Sequence, residues 1–429
     1  MAQKAIREHF GKKLLYKFLP EYFSEFTPNY VGVLVDAGQT AKLKLFDSQK
    51  GYIVKPDELF GKRGKNNLIY HANSAKDATS WIKDKSAKPV TVKRNKTDKG
   101  ITGPLHNFLI EPFVEHKKEF YLAIKTERES DVIYFSEAGG IDIEENWSSV
   151  KEMQIPFSLN TQIIAAGDIL KQLKLKNNPE NLLIAKFISG IYACFRELDF
   201  TYLEINPFTI VNGEIYLLDL VARLDDTALY RKYGKWQEGG KVEFPHPFGT
   251  KKSNAELLIE EMDNKSGASL KLSIINPEGR IWMLTSGGGG SVVFADTVGD
   301  LGSANELANY GEYSGNPSAD ETETYTDIVL KEMLKSKAEN KILIIGGGIA
   351  NFTDIKETFT GVIKALRKNA TEVKKQKIKI YVRRGGPNYK QGLEIIKTET
   401  AKLGIYIEVY GPETYMTHVV SKAVKGKQL

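Results

Sequence analysis

Apolar residues recur near the start of the chain at Ile6, Phe10, Leu14 and Phe18. Four-residue spacing lines one stripe of a helix, so the opening segment is predicted to be an amphipathic helix. The rhythm then shortens. YVGVLVD (30–36), GYIVKPD (51–57) and NLIYHA (67–72) are β-rich, and SAKDATSWIKDK (74–85) reads as a helix started by Ser74. NFLIEPFV (107–114), EFYLAIKT (119–126) and DVIYFSEAGG (131–140) follow in quick succession, and short strands so closely spaced predict an antiparallel sheet. Helices are expected over 160–174 and 180–198. After them, Phe200 to Asp225 reads as two strands joined by a turn at Val211-Asn212-Gly213-Glu214, because Asn-Gly favours the positive φ angles of tight hairpin turns.

Residues 240–252 concentrate Gly, Pro and charge, as linkers do, and separate an α+β unit over 1–245 from a second domain over 246–429. Beyond the linker, RIWMLTSGGGGS, KILIIGGGIANF, IKIYVRRGGPN and GIYIEVYG are apolar strands that each end in glycine or a turn. Helical stretches at 321–337, 354–368, 388–402 and 413–425 alternate with them. That order predicts an α/β domain with a parallel sheet, helices on both faces and ligands outside the carboxyl ends of the strands.

Composition narrows the picture only slightly. With 429 residues, 41% hydrophobic and 27% charged, the chain is too long for one ordinary core and has the balance of a soluble globular protein. The net charge of +6 is spread along the chain, which argues against nucleic acid. The single cysteine, Cys194, lies in an apolar helical run and allows no internal disulfide, as suits a reducing, cytoplasmic compartment. The N-terminus has no signal-peptide core, and no run of eighteen apolar residues exists, so no membrane span is expected.

Candidate chemistry clusters in each half. Glu204 and Asn206 are two apart on a predicted strand, so both point to one face, and Asp219 returns opposite them; three hard oxygen donors suit Mg²⁺. Lys55 ends a strand, and Lys62, Arg63 and Gly64 follow closely, giving cations and bare backbone for phosphate. Glu111-Pro112-Phe113-Val114 would wall a base, Val114 would offer backbone groups to its edge, and Glu119 could accept ribose hydroxyls. Each alone is also what a core strand with a surface acid looks like. No Walker A motif is present. In the second half, Gly287 to Gly290 and Gly346 to Gly348 would place free N–H groups at helix N-termini, Asn351 and Thr353 are ordinary N-cap residues, and an arginine at 383–384 can bind a carboxylate bidentately. Together these favour a polyanion. Neither glycine run has GxGxxG spacing.

Several longer segments, including KAIREHFGKKLL, VKPDELFGKRGK, FTYLEINP, SGGGGSVVFAD, ELANYGEYSGNPS, KILIIGGGIANFT and VRRGGPNY, resemble the N-terminal, succinyl-CoA-synthetase-β-like half of the ATP-citrate lyase family over nearly the whole chain. The resemblance implies an ATP-grasp domain followed by a flavodoxin-like citrate-binding domain. It implies that Lys55, Arg63, Gly64, Glu111, Pro112, Val114 and Glu119 hold ATP, and that Asn206 and Asp219 hold Mg²⁺ beside a catalytic Glu204. Citrate would lie on Gly287, Gly288, Gly315, Asn351, Phe352, Thr353 and Arg384. Asp263, Ser266 and Ala268 match a second, structural Mg²⁺ position. The family activates citrate through a phosphohistidine, forming citryl-CoA that is cleaved to acetyl-CoA and oxaloacetate.

None of the six histidines, His9, His71, His106, His116, His246 and His418, has the family's glycine-flanked phosphohistidine setting, and the sequence ends after KAVKGKQL. The phosphohistidine, the CoA site and the lyase module are therefore expected on a separate, succinyl-CoA-synthetase-α-like subunit, in a hetero-oligomer. The large subunit of a citryl-CoA synthetase, a succinate–CoA ligase β subunit and a non-catalytic binding module are the competing assignments. The IANFT and RRGGPN segments argue against the second, and the presence of Lys55, Asn206 and Asp219 against the third.

Overall fold

A computed structural model describes residues 3–425, apart from 28, 43–49, 94–96, 141, 142, 144–146, 160 and 251. The chain divides into two compact units, Met1–Thr250 and Lys251–Leu429. The far end of the basic tail and the first residue of the helix expected from 160 lie outside the described residues.

Among the described residues, the first unit holds two main antiparallel sheets and a separate two-stranded one, Val90–Val92 with Ile101–Gly103. The larger runs in the order Gln3–Ile6, Leu220–Asp225, Phe200–Val211, Phe120–Thr126, Ser130–Ser136 and Lys151–Pro156, and Glu214–Leu217 pairs with the far end of Phe200–Val211. The smaller runs Val33–Asp36, Asn107–Pro112, Tyr52–Pro56 and Tyr70–Ala72. The helix Pro179–Glu197 starts with proline in its first turn, and Asn178 caps it by accepting the Asn181 N–H at 2.8 Å. Its residues Ile184, Ile188, Ile191 and Phe195 recur at helical spacing in the core of the larger sheet, with Leu203, Ile205 and Phe208 of the central strand. Each such side chain, fully buried, contributes about 1.5–3 kcal/mol.

Three expectations change here. Gln3–Ile6 is an edge strand paired with Leu220–Asp225, so the first helix spans only Glu8–Phe18. Ile6 still joins the same core, because an apolar residue serves a strand or a helix face equally well. NLIYHA contributes strand only at Tyr70–Ala72. The return arm of the hairpin is broken: Asn212 (φ 53°) and Gly213 (φ 84°) make the expected turn, but the chain leaves the ladder at Leu218 and Asp219 before resuming at Leu220.

In the second unit, Ile281–Ser286, Ile342–Ile349, Lys379–Gly385 and Tyr406–Tyr410 form a parallel sheet in that order. Trp282 and Leu284 pack on one side with Tyr325, Val329, Phe359 and Ile396. Ile281 and Met283 pack on the other with Phe294, Val298, Val419 and Val420. That alternation is the two-residue period of a strand covered on both faces. An antiparallel ribbon, Ser269–Ile274 with Asn309–Ser314, and the helix Asn254–Lys265 complete the unit; the apolar pattern alone did not reveal them. No helix among the described residues is long and apolar enough to cross a membrane.

The helices Ala319–Lys335 and Ile355–Lys375 meet through Gly361, where a Cβ would stand 2.3 Å from the Ala319 carbonyl oxygen and 2.9 Å from the Glu323 nitrogen. Alanine favours a helix interior over glycine by about 1 kcal/mol. Displacing backbone in a packed interface costs about 1–3 kcal/mol. Gly361→Ala is therefore expected to lower stability, a net loss that chemical denaturation measures.

Candidate functional site

A cavity of about 1060 Å³ opens in the first unit between the two sheets. Lys55, Arg63, Gly64, Glu111, Pro112, Val114, Glu119, Glu204, Asn206 and Asp219 all line it. Lys55 closes the strand Tyr52–Pro56, and Arg63 leads into the tight turn Gly64–Asn66. Both cations are almost fully buried and both reach Glu8 of the first helix. The Lys55 Nζ donates to Glu8 Oε1 at 2.6 Å and to the Leu218 carbonyl at 2.7 Å, while Arg63 donates to Glu8 Oε2 at 2.9 Å and to Asp219 Oδ1 at 2.7 Å. Lys12, one turn after Glu8, lies 2.8 Å from Glu8 and donates to both Glu111 oxygens at 2.8 Å. Glu111 thus belongs to an ion network and also accepts the Tyr30 hydroxyl; its carboxylate is not part of a bare apolar wall.

Burial resists ionisation of Glu8, but Lys12, Lys55 and Arg63 together outweigh it and hold its pKa far below the usual carboxylate range. Asp57 stands at the start of the same helix and accepts the N–H groups of Glu8 and His9 at 2.8 and 3.1 Å, an N-cap supplied from a distant strand end. Burial and the neighbouring Glu8 charge push Asp57 up to about 6.

On the strand Phe200–Val211, Glu204 and Asn206 share a face, with the Asn206 amide 3.5 Å from Glu204 Oε1. Tyr202 donates to Glu204, and the Gly140 N–H donates to Asn206 Oδ1 at 2.8 Å. Asp219 is brought alongside by the break in the return arm, where the Asn206 N–H donates to the Asp219 carbonyl at 3.2 Å. Two carboxylates and an amide oxygen on adjacent segments suit a hard cation that completes its shell with phosphate and water. Among the described residues, no cluster of three His, Cys, Asp or Glu side chains has the arrangement of a closed metal site.

At the cavity's other side the chain leaves Pro112 and turns back at Glu119. His116 clips this segment: Nδ1 lies 2.7 Å from the Val114 carbonyl and Nε2 3.0 Å from Glu119 Oε1. Two acceptors face the two ring nitrogens, which only the imidazolium satisfies as a double donor. Burial works against that charge, but Glu119 and the Val114 carbonyl outweigh it and raise the pKa.

In the second unit, Arg384 is 4% exposed. It donates to the Ser286 hydroxyl at 2.7 Å and the Gly348 carbonyl at 3.1 Å; its Nε has no partner, and it forms no ion pair among the described residues. Burial leads in pulling its pKa down, aided by the charge of Arg383. Arg383 is held instead by the carbonyls of Gly347, Pro412 and Thr414. Gly287 takes φ 87° and opens the helix Gly288–Asp300 with no side-chain cap, so its first N–H groups stay available beside Ser286. Gly346 to Gly348, by contrast, lie within the strand Ile342–Ile349, where a Cβ on Gly347 would meet Arg384 at 2.3 Å. The following helix begins at Ile355 and is capped by Asp354, so neither Asn351 nor Thr353 is its N-cap.

Asn351 and Phe352 are exposed and Thr353 is buried. The Ala350 N–H donates to the Gly385 carbonyl at 3.0 Å, which ties this loop to the residue after Arg384. Gly315 (φ 75°) ends the ribbon strand, and Asn316 accepts the Asp354 N–H at 3.4 Å, which brings the two loops together. One acid intrudes: Glu312 Oε2 would be 3.2 Å from a Cβ at Gly288. Asp263 accepts from Leu270 and Lys271, and Ser266 donates to Glu321 and accepts from Ala268, so the second proposed metal position carries protein partners.

Comparison with known proteins now decides the family. Residues 2–236 match the ATP-citrate synthase ATP-grasp domain, and residues 250–426 match the ATP citrate lyase citrate-binding domain. The chain belongs to the ATP-citrate lyase family. It is 42% identical over 431 residues to ATP-citrate synthase alpha chain protein 2 of Arabidopsis thaliana, covering 99% of each chain. It is 42% identical to the ATP-citrate synthase of Homo sapiens over 99% of itself but 38% of that protein. The structure of ATP citrate lyase from Methanothrix soehngenii in complex with citrate and coenzyme A superposes with a TM-score of 0.86 at 41% identity, covering 99% of this chain and all of that one. The chain is thus an enzyme subunit of mixed α/β architecture, an ATP-grasp domain followed by a citrate-binding domain.

Sequence reasoning missed Glu8, Lys12, Asp57 and His116. The i,i+4 spacing of Glu8 and Lys12 shows in the sequence as a helical charge pair, but nothing in that spacing tells a buried pair from a solvated one.

The pKa of Asp57 sets a pH dependence. A folded-state value near 6 lies above that of an unfolded aspartate, so the folded protein binds a proton first as pH falls. This contribution to stability is present below the unfolded pKa and lost as pH rises through about 6. Relative to Asp57→Asn, the parent should gain on the order of 1–3 kcal/mol between pH 6.5 and 4, read from paired denaturation curves.

Proposed function

We propose that this chain is the nucleotide- and citrate-binding subunit of an ATP-citrate lyase. It would bind Mg–ATP in the first unit and citrate in the second. It would drive phosphohistidine-mediated formation of citryl-CoA, which a partner subunit cleaves to acetyl-CoA and oxaloacetate. The single observation that carries the citrate assignment is Arg384, a buried guanidinium with an unpartnered Nε and no carboxylate partner among the described residues. A buried cation without a counter-charge is costly, and a carboxylate ligand supplies both the charge and the missing acceptor. Citrate offers about three negative charges at neutral pH. The uncapped N–H groups from Gly288 onward, with Gly315 and Thr353, supply further donors.

In the cleft, Lys55 and Arg63 would receive phosphate oxygens, Pro112 to Val114 would pack and read the base, and Glu119 would accept the ribose hydroxyls in exchange for His116. Asn206 and Asp219 would hold Mg²⁺, with Glu204 beside them as the catalytic carboxylate. Bound there, Mg²⁺ neutralises phosphate charge, and the protein's part in phosphoryl transfer is chiefly positioning and electrostatics. The phosphoryl group would pass from ATP to a histidine on the partner and then to a citrate carboxylate; the CoA thiol then displaces phosphate to give citryl-CoA. A separate partner is supported by the plant alpha chain, which matches end to end, and by the human protein, of which this chain matches only part. Whether that partner also cleaves citryl-CoA separates a lyase from a citryl-CoA synthetase.

Purified chain given ATP, citrate and CoA should release no acetyl-CoA until the partner is added; turnover by the chain alone would contradict the division of labour. With the partner present, Arg384→Ala should raise the half-saturating citrate concentration by about tenfold or more and leave that for ATP within about threefold. Asp219→Ala should do the reverse, raising the Mg–ATP requirement while sparing citrate.

A further inference from the structure

Glu8 lies beneath the cleft rather than on its wall: it is 2% exposed and does not line the cavity, yet it touches three cations. Oε1 takes Lys55 at 2.6 Å and Lys12 at 2.8 Å, and Oε2 takes Arg63 at 2.9 Å. The same two cleft cations have a second carboxylate within reach. Asp219 Oδ1 is 2.7 Å from Arg63 and 3.6 Å from Lys55. Arg63 already bridges Glu8 and Asp219, and Lys55 also stands 3.4 Å from Glu111 Oε2, so loss of the Glu8 charge would leave Arg63 to Asp219 alone and Lys55 to Glu111 and Asp219. A carboxylate saturated by an arginine and a lysine is a poor ligand for a metal ion, because both compete for the same lone pairs.

We infer that Glu8 is a positioning residue for metal-dependent nucleotide binding: from beneath the cleft it holds Lys55 and shares Arg63 with Asp219, and so limits how far the two cations occupy the carboxylate that a divalent cation would use. Lys12 supports this role. Its Nζ is fully buried between Glu8, both oxygens of Glu111 and the Leu218 carbonyl, so it anchors Glu8 to the strand end opposite and to the backbone beside Asp219. The first helix thereby sets how the cleft's positive charge is divided between phosphate and metal ligand, although its one carboxylate, Glu8, does not line the cleft. The inference rests on the nucleotide site proposed above.

The test is ADP binding to the full chain by titration calorimetry, with Mg²⁺ varied and with Mg²⁺ removed by chelator. In Glu8→Gln the side chain keeps its shape and loses its charge. The Mg²⁺ concentration that half-saturates tight ADP binding should rise about tenfold, while metal-free ADP binds as well as in the parent or better, because Lys55 and Arg63 lose the Glu8 carboxylate that competes with phosphate for them. A general loosening of the site would weaken both titrations together, and that outcome, or an unchanged Mg²⁺ requirement in folded Glu8→Gln, overturns the inference. Should the single variant fail to fold, Glu8→Gln combined with Lys12→Met preserves the network's net charge and must show the same rise in Mg²⁺ requirement; no rise overturns the inference equally. If the parent itself shows no Mg²⁺-dependent ADP binding, the nucleotide assignment fails first and this inference with it; if the parent binds and the variants match it, only the role of Glu8 fails.

Discussion

The buried meeting of Glu8 with Lys12, Lys55 and Arg63 is the interaction on which the nucleotide half depends. Three cations placed this close in a low-dielectric interior would repel one another strongly, and each would bear a desolvation cost of several kcal/mol. Glu8, Glu111 and Asp219 make the arrangement tolerable by interleaving negative charge at 2.6–2.9 Å. The network also joins three parts of the first unit: the first helix, the strand ends of the smaller sheet and the broken return arm of the larger one. Its pairings therefore bear on which charges face the cleft. Asp57 adds to the same knot by capping the helix that carries Glu8 and Lys12.

The citrate-binding domain handles charge in the opposite way. Arg384 is given hydroxyl and carbonyl acceptors but no acid among the described residues, which leaves its charge for the proposed carboxylate ligand to meet. Arg383, its neighbour on the strand, points to the other side and is consumed by three carbonyls. Successive residues on a strand face opposite ways, which is why one arginine is structural and the next is presented at the strand end. Glycines bring the backbone close enough for this. A side chain at Gly347 would occupy the guanidinium's place.

Much of this was legible from residue order. Four strand-and-glycine runs in the second half mark a parallel sheet, and the sheet forms from those runs. The Glu204–Asn206 spacing places both on one face, and the Asn212-Gly213 turn closes the arm that returns Asp219. Less legible was the edge strand Gln3–Ile6, whose apolar residue fits a helix stripe as well; the ribbon strand Ser269–Ile274 does alternate apolar and polar residues, but its partner Asn309–Ser314 has few apolar residues to mark it. The glycines at 346–348 read as a helix-opening turn, but they continue the strand, and at Gly346 and Gly347 a side chain would collide with Phe294 and Arg384.

Local physics was enough to determine the periodicities and the tight turn. Those properties depend on neighbours within a few residues, where backbone stereochemistry limits the choices. The partners of the buried charges were decided only in three dimensions. Glu8 meets Lys55 across 47 residues, and Lys12 meets Glu111 across 99 and the Leu218 carbonyl across 206. An acid four residues from a lysine on a helix looks the same whether water or protein surrounds it, and only the packing of the sheets over that helix removed the water.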